Sequence, residues 1–217
     1  MTLLYTAHVP AGEGPFPTVI AIHGWGASAH DLLGLAPYFL GGQALVLCPQ
    51  GRVEVPIGPG MKGWGWFPLR GGIVPDVAEA LAAAAELAAF VEEASRRYPV
   101  DPERRALVGF SQGGMMAYQL ALSRPDLYSG LAALSAWLPP ALTEAWPPTP
   151  AHEGMPVLVV HGTEDPLVPI ERARESREAL RPFNVALTYR EFPMAHEIRP
   201  EALEVIVRWL GERALKP

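Results

Sequence analysis

Among 217 residues there is one cysteine, Cys48. Without a second thiol an intrachain disulfide is excluded, and without a Cys/His cluster around it a structural zinc site is not expected; a reduced, cytoplasmic setting fits. Basic runs are missing as well. The 17 Lys and Arg residues are scattered among 23 Asp and Glu, for a net charge of -6, so the electrostatic footprint of a nucleic-acid binder is lacking. Nowhere do 18 apolar residues follow one another, and Met1 to Pro10 has neither a basic start nor a sustained apolar run. Neither a membrane span nor a secretory leader is expected. No repeat or low-complexity linker divides the chain. With 49% apolar residues, 217 residues can bury one sizeable core but are too few to expect two, so 1–217 reads as a single domain.

Proline is abundant: 24 residues, roughly twice the usual ~5% share. The prolines gather between periodic segments, where they stiffen loops, and heat tolerance is an expectation from this composition. The periodic segments alternate. Short apolar runs lie at Leu3–Thr6, Thr18–Ile22, Ala44–Cys48, Ala106–Gly109, Leu131–Leu134, Val157–Val160 and Ala186–Phe192. Helix-period stretches fall near 31–40, 75–98, 112–123, 170–181 and 200–213. This is the α/β signature, with the middle runs reading as strands of a mostly parallel sheet of about seven strands flanked by helices. In the second helix Pro75 suits the first turn, and Val77, Leu81, Ala84, Ala88 and Val91 line one face. In the last helix Leu203, Ile206, Val207 and Leu210 do so. Two stretches resist assignment to helix or strand: 49–72, which is Gly/Pro-rich, and 137–155, which holds five prolines. The first carries Trp64, Trp66 and Phe67 and is expected to fold over the C-terminal edge of the sheet, where open α/β sheets bind ligands.

The chemical signal is Gly109-Phe110-Ser111-Gln112-Gly113, with an apolar run before it and a helix-compatible segment after. A strand, a sharp turn and a helix present the hydroxyl in a strained conformation at the sheet edge, and the glycines let neighbouring backbone approach. A serine hydroxyl is a weak nucleophile at neutral pH, so it needs a base and an acid that orients the base. After such a turn the acid precedes the histidine in the chain. Asp165 ends the stretch Val157-Leu158-Val159-Val160-His161-Gly162-Thr163-Glu164-Asp165, a strand running into a loop; Glu164 is its rival. Downstream of Asp165 only one histidine remains, His196, in a loop between the last strand and last helix. His161, at a strand end, reads as structural, and His8, His30 and His152 as solvent-facing. The oxyanion formed on attack needs N–H donors. His23-Gly24-Trp25-Gly26 follows a strand, so the backbone N–H groups of Trp25 and Gln112 are the expected pair. Trp25, Trp64, Trp66, Phe67, Trp137, Leu167 and Val168 are the candidates for an apolar substrate pocket.

Taken together, His23-Gly24-Trp25-Gly26, Gly109-Phe110-Ser111-Gln112-Gly113-Gly114, His161-Gly162-Thr163-Glu164-Asp165, Trp66-Phe67 and His196 resemble the carboxylesterase/phospholipase family of the α/β-hydrolase superfamily, which includes acyl-protein thioesterases. The likeness runs through nearly the whole chain. It implies the α/β-hydrolase fold, a Ser-Asp-His triad, no cofactor or metal and, frequently, homodimers. Two positions depart from the family pattern: Pro68 and Ala27 stand where members commonly carry Asp, which touches the substrate loop and not the triad. The spacing between Ser111 and Asp165 leaves no room for a large cap domain.

The expected reaction is hydrolysis of a small-molecule carboxylic ester or thioester with an apolar acyl group, through an acyl-enzyme on Ser111. An imidazole with an ordinary pKa of about 6.5 must be neutral to accept the proton, so turnover is expected to fall on acidification. The alternatives are a lysophospholipase or acyl-protein thioesterase, a dienelactone-type hydrolase, which commonly uses Cys at the position of Ser111, and, from another class, a hydrolase-fold protein that binds an apolar ligand without turnover.

Overall fold

A computed structural model of the chain describes residues 3–217. Met1 and Thr2, part of the stretch read above for a leader, lie outside the described residues. The strands are β1 (Tyr5–His8), β2 (Phe16–Ile22), β3 (Leu45–Pro49), β4 (Val53–Gly58), β5 (Met61–Gly65), β6 (Val100–Phe110), β7 (Gly130–Leu134), β8 (Pro156–Gly162) and β9 (Ala186–Phe192). The α-helices are α1 (Val77–Arg97), α2 (Gln112–Ser123), α3 (Pro140–Thr143), α4 (Ile170–Leu180) and α5 (Pro200–Trp209).

Seven strands form one sheet in the order β1-β3-β2-β6-β7-β8-β9. Only β1 runs antiparallel to its neighbour. The β6–β9 side and β2 take successive parallel strands through helical crossovers, so both faces of the sheet are covered and the strands read as continuous apolar runs. Ile20, Ile22, Leu107 and Leu131 turn to one face beneath α1, α2 and α4. Val19, Ala21, Val108 and Ala132 turn to the other, beneath residues 32–42 and α5. Cys48 sits in β3, 2% exposed, and burial pushes its thiol up to about 12. No cap domain is inserted.

Five details differ from the sequence expectations. The stretch 49–72 is not all loop: β4 and β5 pair as a hairpin. The segment 31–40 is no α-helix but an irregular 3-10 stretch, Leu32–Gly42, containing Pro37 and broken at Phe39–Gly41. The cap of α1 is Asp76, whose carboxylate accepts from the Glu79 N–H at 3.1 Å, so Pro75 precedes the helix. The buried face of α1 is Ala80, Ala83, Ala84, Leu87, Phe90, Val91 and Ala94. Leu81 and Ala88 flank it. His152, expected in solvent, is buried: its Nε2 donates to the Leu122 carbonyl at 3.0 Å and its Nδ1 accepts from the Thr149 N–H.

Candidate active site

The C-terminal ends of β2, β6 and β8 and the loop after β9 converge on one edge of the sheet. Ser111 lies between β6 and α2 with φ 54° and ψ -120°, a region costly for any residue with a Cβ. Its N–H donates to the Leu134 carbonyl at 2.8 Å, and its carbonyl accepts from the N–H groups of Gly114 and Met115. These bonds hold the bend from both sides. The bend also brings α2 against the end of β2: a Cβ on Gly113 would overlap the Ile22 carbonyl. Among the described residues the Ser111 hydroxyl is not engaged in a hydrogen bond, so it is free to rotate.

Asp165 closes the loop after β8. Its side chain is wholly buried. Its Oδ1 accepts from the N–H groups of Leu167 and Val168 at 2.9 and 2.8 Å, which leaves Oδ2 to accept from His196 Nδ1–H at 2.7 Å. That bond fixes the tautomer and turns Nε2 away from the carboxylate. The rival Glu164 is exposed. The two loops are stitched together by Thr163 N–H to the Phe192 carbonyl and Glu164 N–H to the Met194 carbonyl. His196 packs against Phe110, the neighbour of the serine, with ring centroids 4.8 Å apart. Ser111 and His196 line the same cavity of about 490 Å³.

Two further histidines brace this edge. His161 is fully buried; its Nε2–H donates to the Val168 carbonyl at 2.8 Å and lies 3.6 Å from Asp165 Oδ2. Burial lowers its pKa. His23 is buried at the end of β2, where Nε2 accepts from the Gly51 N–H and Nδ1–H donates to the Gly24 carbonyl at 2.7 Å. Burial lowers its pKa too, against smaller raising effects from Gly24 and Asp31.

The two N–H groups expected to receive the oxyanion, those of Trp25 and Gln112, have no backbone acceptor among the described residues. The Trp25 loop is held from above by the hairpin: Gly26 N–H donates to the Trp64 carbonyl and Trp64 N–H to the Ala27 carbonyl. Gly65 makes that approach possible, since a Cβ there would overlap the Trp25 ring. The Gln112 side chain is a strut that sequence reasoning missed. Its Oε1 accepts from the Trp66 N–H and its Nε2 donates to the Phe67 carbonyl, both at 2.8 Å.

Of the residues expected at the substrate, Trp25, Trp137 and Val168 line an apolar recess of about 30 Å³ beside Ser111, and Leu167 lines the larger cavity. Trp64, Trp66 and Phe67 line neither. Trp64 pairs with Ala27 across the hairpin. Trp66 stacks near His23 and gives its indole N–H to the His23 carbonyl at 2.9 Å, and Phe67 is 1% exposed in the core. A large ring with a donor that needs a partner is satisfied by packing beneath the loop. Leu69, Ile73, Met115 and Ala136 line the recess instead. Met115 was legible as the residue one helical turn beyond Ser111; Leu69 and Ile73 had only a Gly/Pro-rich context.

The sequence profile of the Phospholipase/Carboxylesterase family matches residues 7–212. Acyl-protein thioesterase 1 of Gibberella zeae is 29% identical over 219 residues, covering 94% of this chain and 93% of that protein. In fold, the chain is similar to the carboxylesterase of Bacillus cereus (TM-score 0.81, 22% identity, 96% and 93% of the two chains). It is similar also to a carboxylesterase of Mesorhizobium loti (TM-score 0.77, 22% identity, 91% and 89%).

Proposed function

From the premise that this chain belongs to the phospholipase/carboxylesterase family, and so is a serine hydrolase acting on esters or thioesters, we propose that Ser111, His196 and Asp165 are its catalytic triad and that it prefers small apolar acyl groups. The observation that carries the reading is the 2.7 Å Asp165–His196 bond opening on the same cavity as a serine held at φ 54°. Ser111 Oγ attacks the carbonyl carbon while His196 Nε2 takes its proton. Asp165 holds the imidazole and stabilises the imidazolium. The N–H groups of Trp25 and Gln112 receive the oxyanion; loss of one such donor costs about 10²–10³ in turnover in other enzymes. The imidazolium returns its proton to the leaving oxygen or sulfur, and water, deprotonated by the same base, releases the acid.

The leaving group must lie on the side of His196, so the acyl group lies on the side away from it. That side is the recess formed with Gln112, Met115, Ala136 and Trp137. A recess this small suits a short acyl group such as acetyl or propionyl. The Gibberella zeae relative's name brings acylated proteins as the other substrate class, and acyl length separates the two. Fluorophosphonate labelling with mass-spectrometric mapping is expected to place the adduct on Ser111, and Ser111→Ala to abolish it. p-Nitrophenyl acetate is expected to exceed the octanoate at least tenfold in kcat/KM, about 1.4 kcal/mol of transition-state discrimination. An adduct elsewhere overturns the triad, and a preference for octanoate overturns the acyl assignment.

A further inference from the structure

Asp31 lines the cavity that holds Ser111 and His196, and no part of the mechanism uses it. It opens the 3-10 stretch Leu32–Gly42, where an aspartate ordinarily caps a helix with its side chain. Here it makes no such bond. Among the described residues its carboxylate forms neither a hydrogen bond nor an ion pair. The residue is exposed on the cavity rim, and the partial desolvation it meets there raises its pKa, against a lowering effect from His23. Among the described residues, His196 is the only other ionisable side chain that lines this cavity or the adjoining recess.

The two spaces divide the substrate. The recess touches Ser111 and Gln112 but not His196; the larger cavity touches Ser111, His196, Phe110 and Asp31. The proton donated by His196 goes to the leaving group, so the leaving group occupies Asp31's side. Trp25 and Phe110 add aromatic surface there, and aromatic faces attract cations as carboxylates do. Resting on the triad assigned above, we infer that Asp31 selects the leaving group, favouring esters whose alcohol carries a positive charge, such as amino-alcohol or quaternary ammonium esters.

The test compares acetylcholine with 3,3-dimethylbutyl acetate, which has the same shape with carbon in place of the charged nitrogen, at pH 8 and low salt. For a cation about 6 Å from the carboxylate, Coulomb's law gives a preference of about threefold at the dielectric constant of water and about tenfold at half that value. The expected ratio of kcat/KM, charged over neutral, is therefore in that range for the natural protein. It should approach one in Asp31→Asn, fall below one in Asp31→Lys, and shrink in 0.5 M salt. The same ratio in all three proteins overturns the inference and leaves the triad standing. Hydrolysis of neither ester by the natural protein, with no fluorophosphonate adduct on Ser111, overturns the triad and the inference with it.

Discussion

Replacing Gln112 by leucine isolates the strut beneath the hairpin from the oxyanion donor on the same residue. The main-chain N–H of residue 112 is kept, and the side chain keeps its bulk, but the Trp66 N–H and the Phe67 carbonyl each lose a 2.8 Å partner. Gln112 is 3% exposed and Phe67 1%, so water has no ready path to either group. An unsatisfied buried polar group costs about 1–3 kcal/mol, which puts the loss for two at about 2–6 kcal/mol. In a protein of this length each kcal/mol moves the melting point by about 2–4 °C, so a drop on the order of 10 °C is expected. Gln112→Ala makes the sharper comparison. It opens a polar space in which a water can bond to both orphaned groups, so alanine should melt above leucine even though leucine fills the site better. Differential scanning calorimetry on the three proteins decides it. Leucine melting at or above alanine would refute the hydrogen-bond accounting and make Gln112 a packing residue.

Ser111→Gly relieves the positive φ while Ser111→Ala keeps it. Both should be inactive, and the glycine variant should be the more stable by about 1 kcal/mol or more, read by denaturant unfolding. Burial lowers the pKa of His23 and His161, so the folded protein holds both neutral where the unfolded chain, with an ordinary value of about 6.5, takes up protons. The unfolded state then binds more protons, and stability present above pH 6.5 is lost as pH falls toward the lowered values. Each histidine contributes a slope of at most about 1.4 kcal/mol per pH unit. Melting points between pH 7.5 and 5.5 should fall, and less steeply in His161→Gln; equal slopes in the two proteins would count against the burial argument.

The groups of the proposed chemistry were legible because each sits just past the end of a short apolar run. Strand ends in a parallel sheet share an edge, so Ser111, His196 and a carboxylate at 164 or 165 could be named from chain order alone. Pro166 and Leu167-Val168-Pro169 favour Asp165 over Glu164 in sequence, but spacing cannot prove it, since two adjacent carboxylates in a loop differ only in which way the backbone turns. The face of α1 was misread because Ala82–Ala85 is apolar all round and gives no phase; Phe90 and Leu87 set it. The hairpin was hidden because Gly58, Gly60, Gly63 and Gly65 interrupt the alternation of β4 and β5. Trp66 and Phe67 look like pocket residues in sequence, and only the partners of the indole and the carbonyl reveal that they are foundation. Asp31 went unremarked for want of a motif, although it lies only five residues after Gly26.

The sealed thiol of β3 has a practical outcome. With its pKa at about 12, Cys48 forms almost no thiolate at any pH in ordinary use, and the thiolate is the species that haloacetamides and peroxides attack. Covalent inhibitors screened against this protein therefore meet no competing thiolate while it stays folded. Purification needs no reductant to protect it.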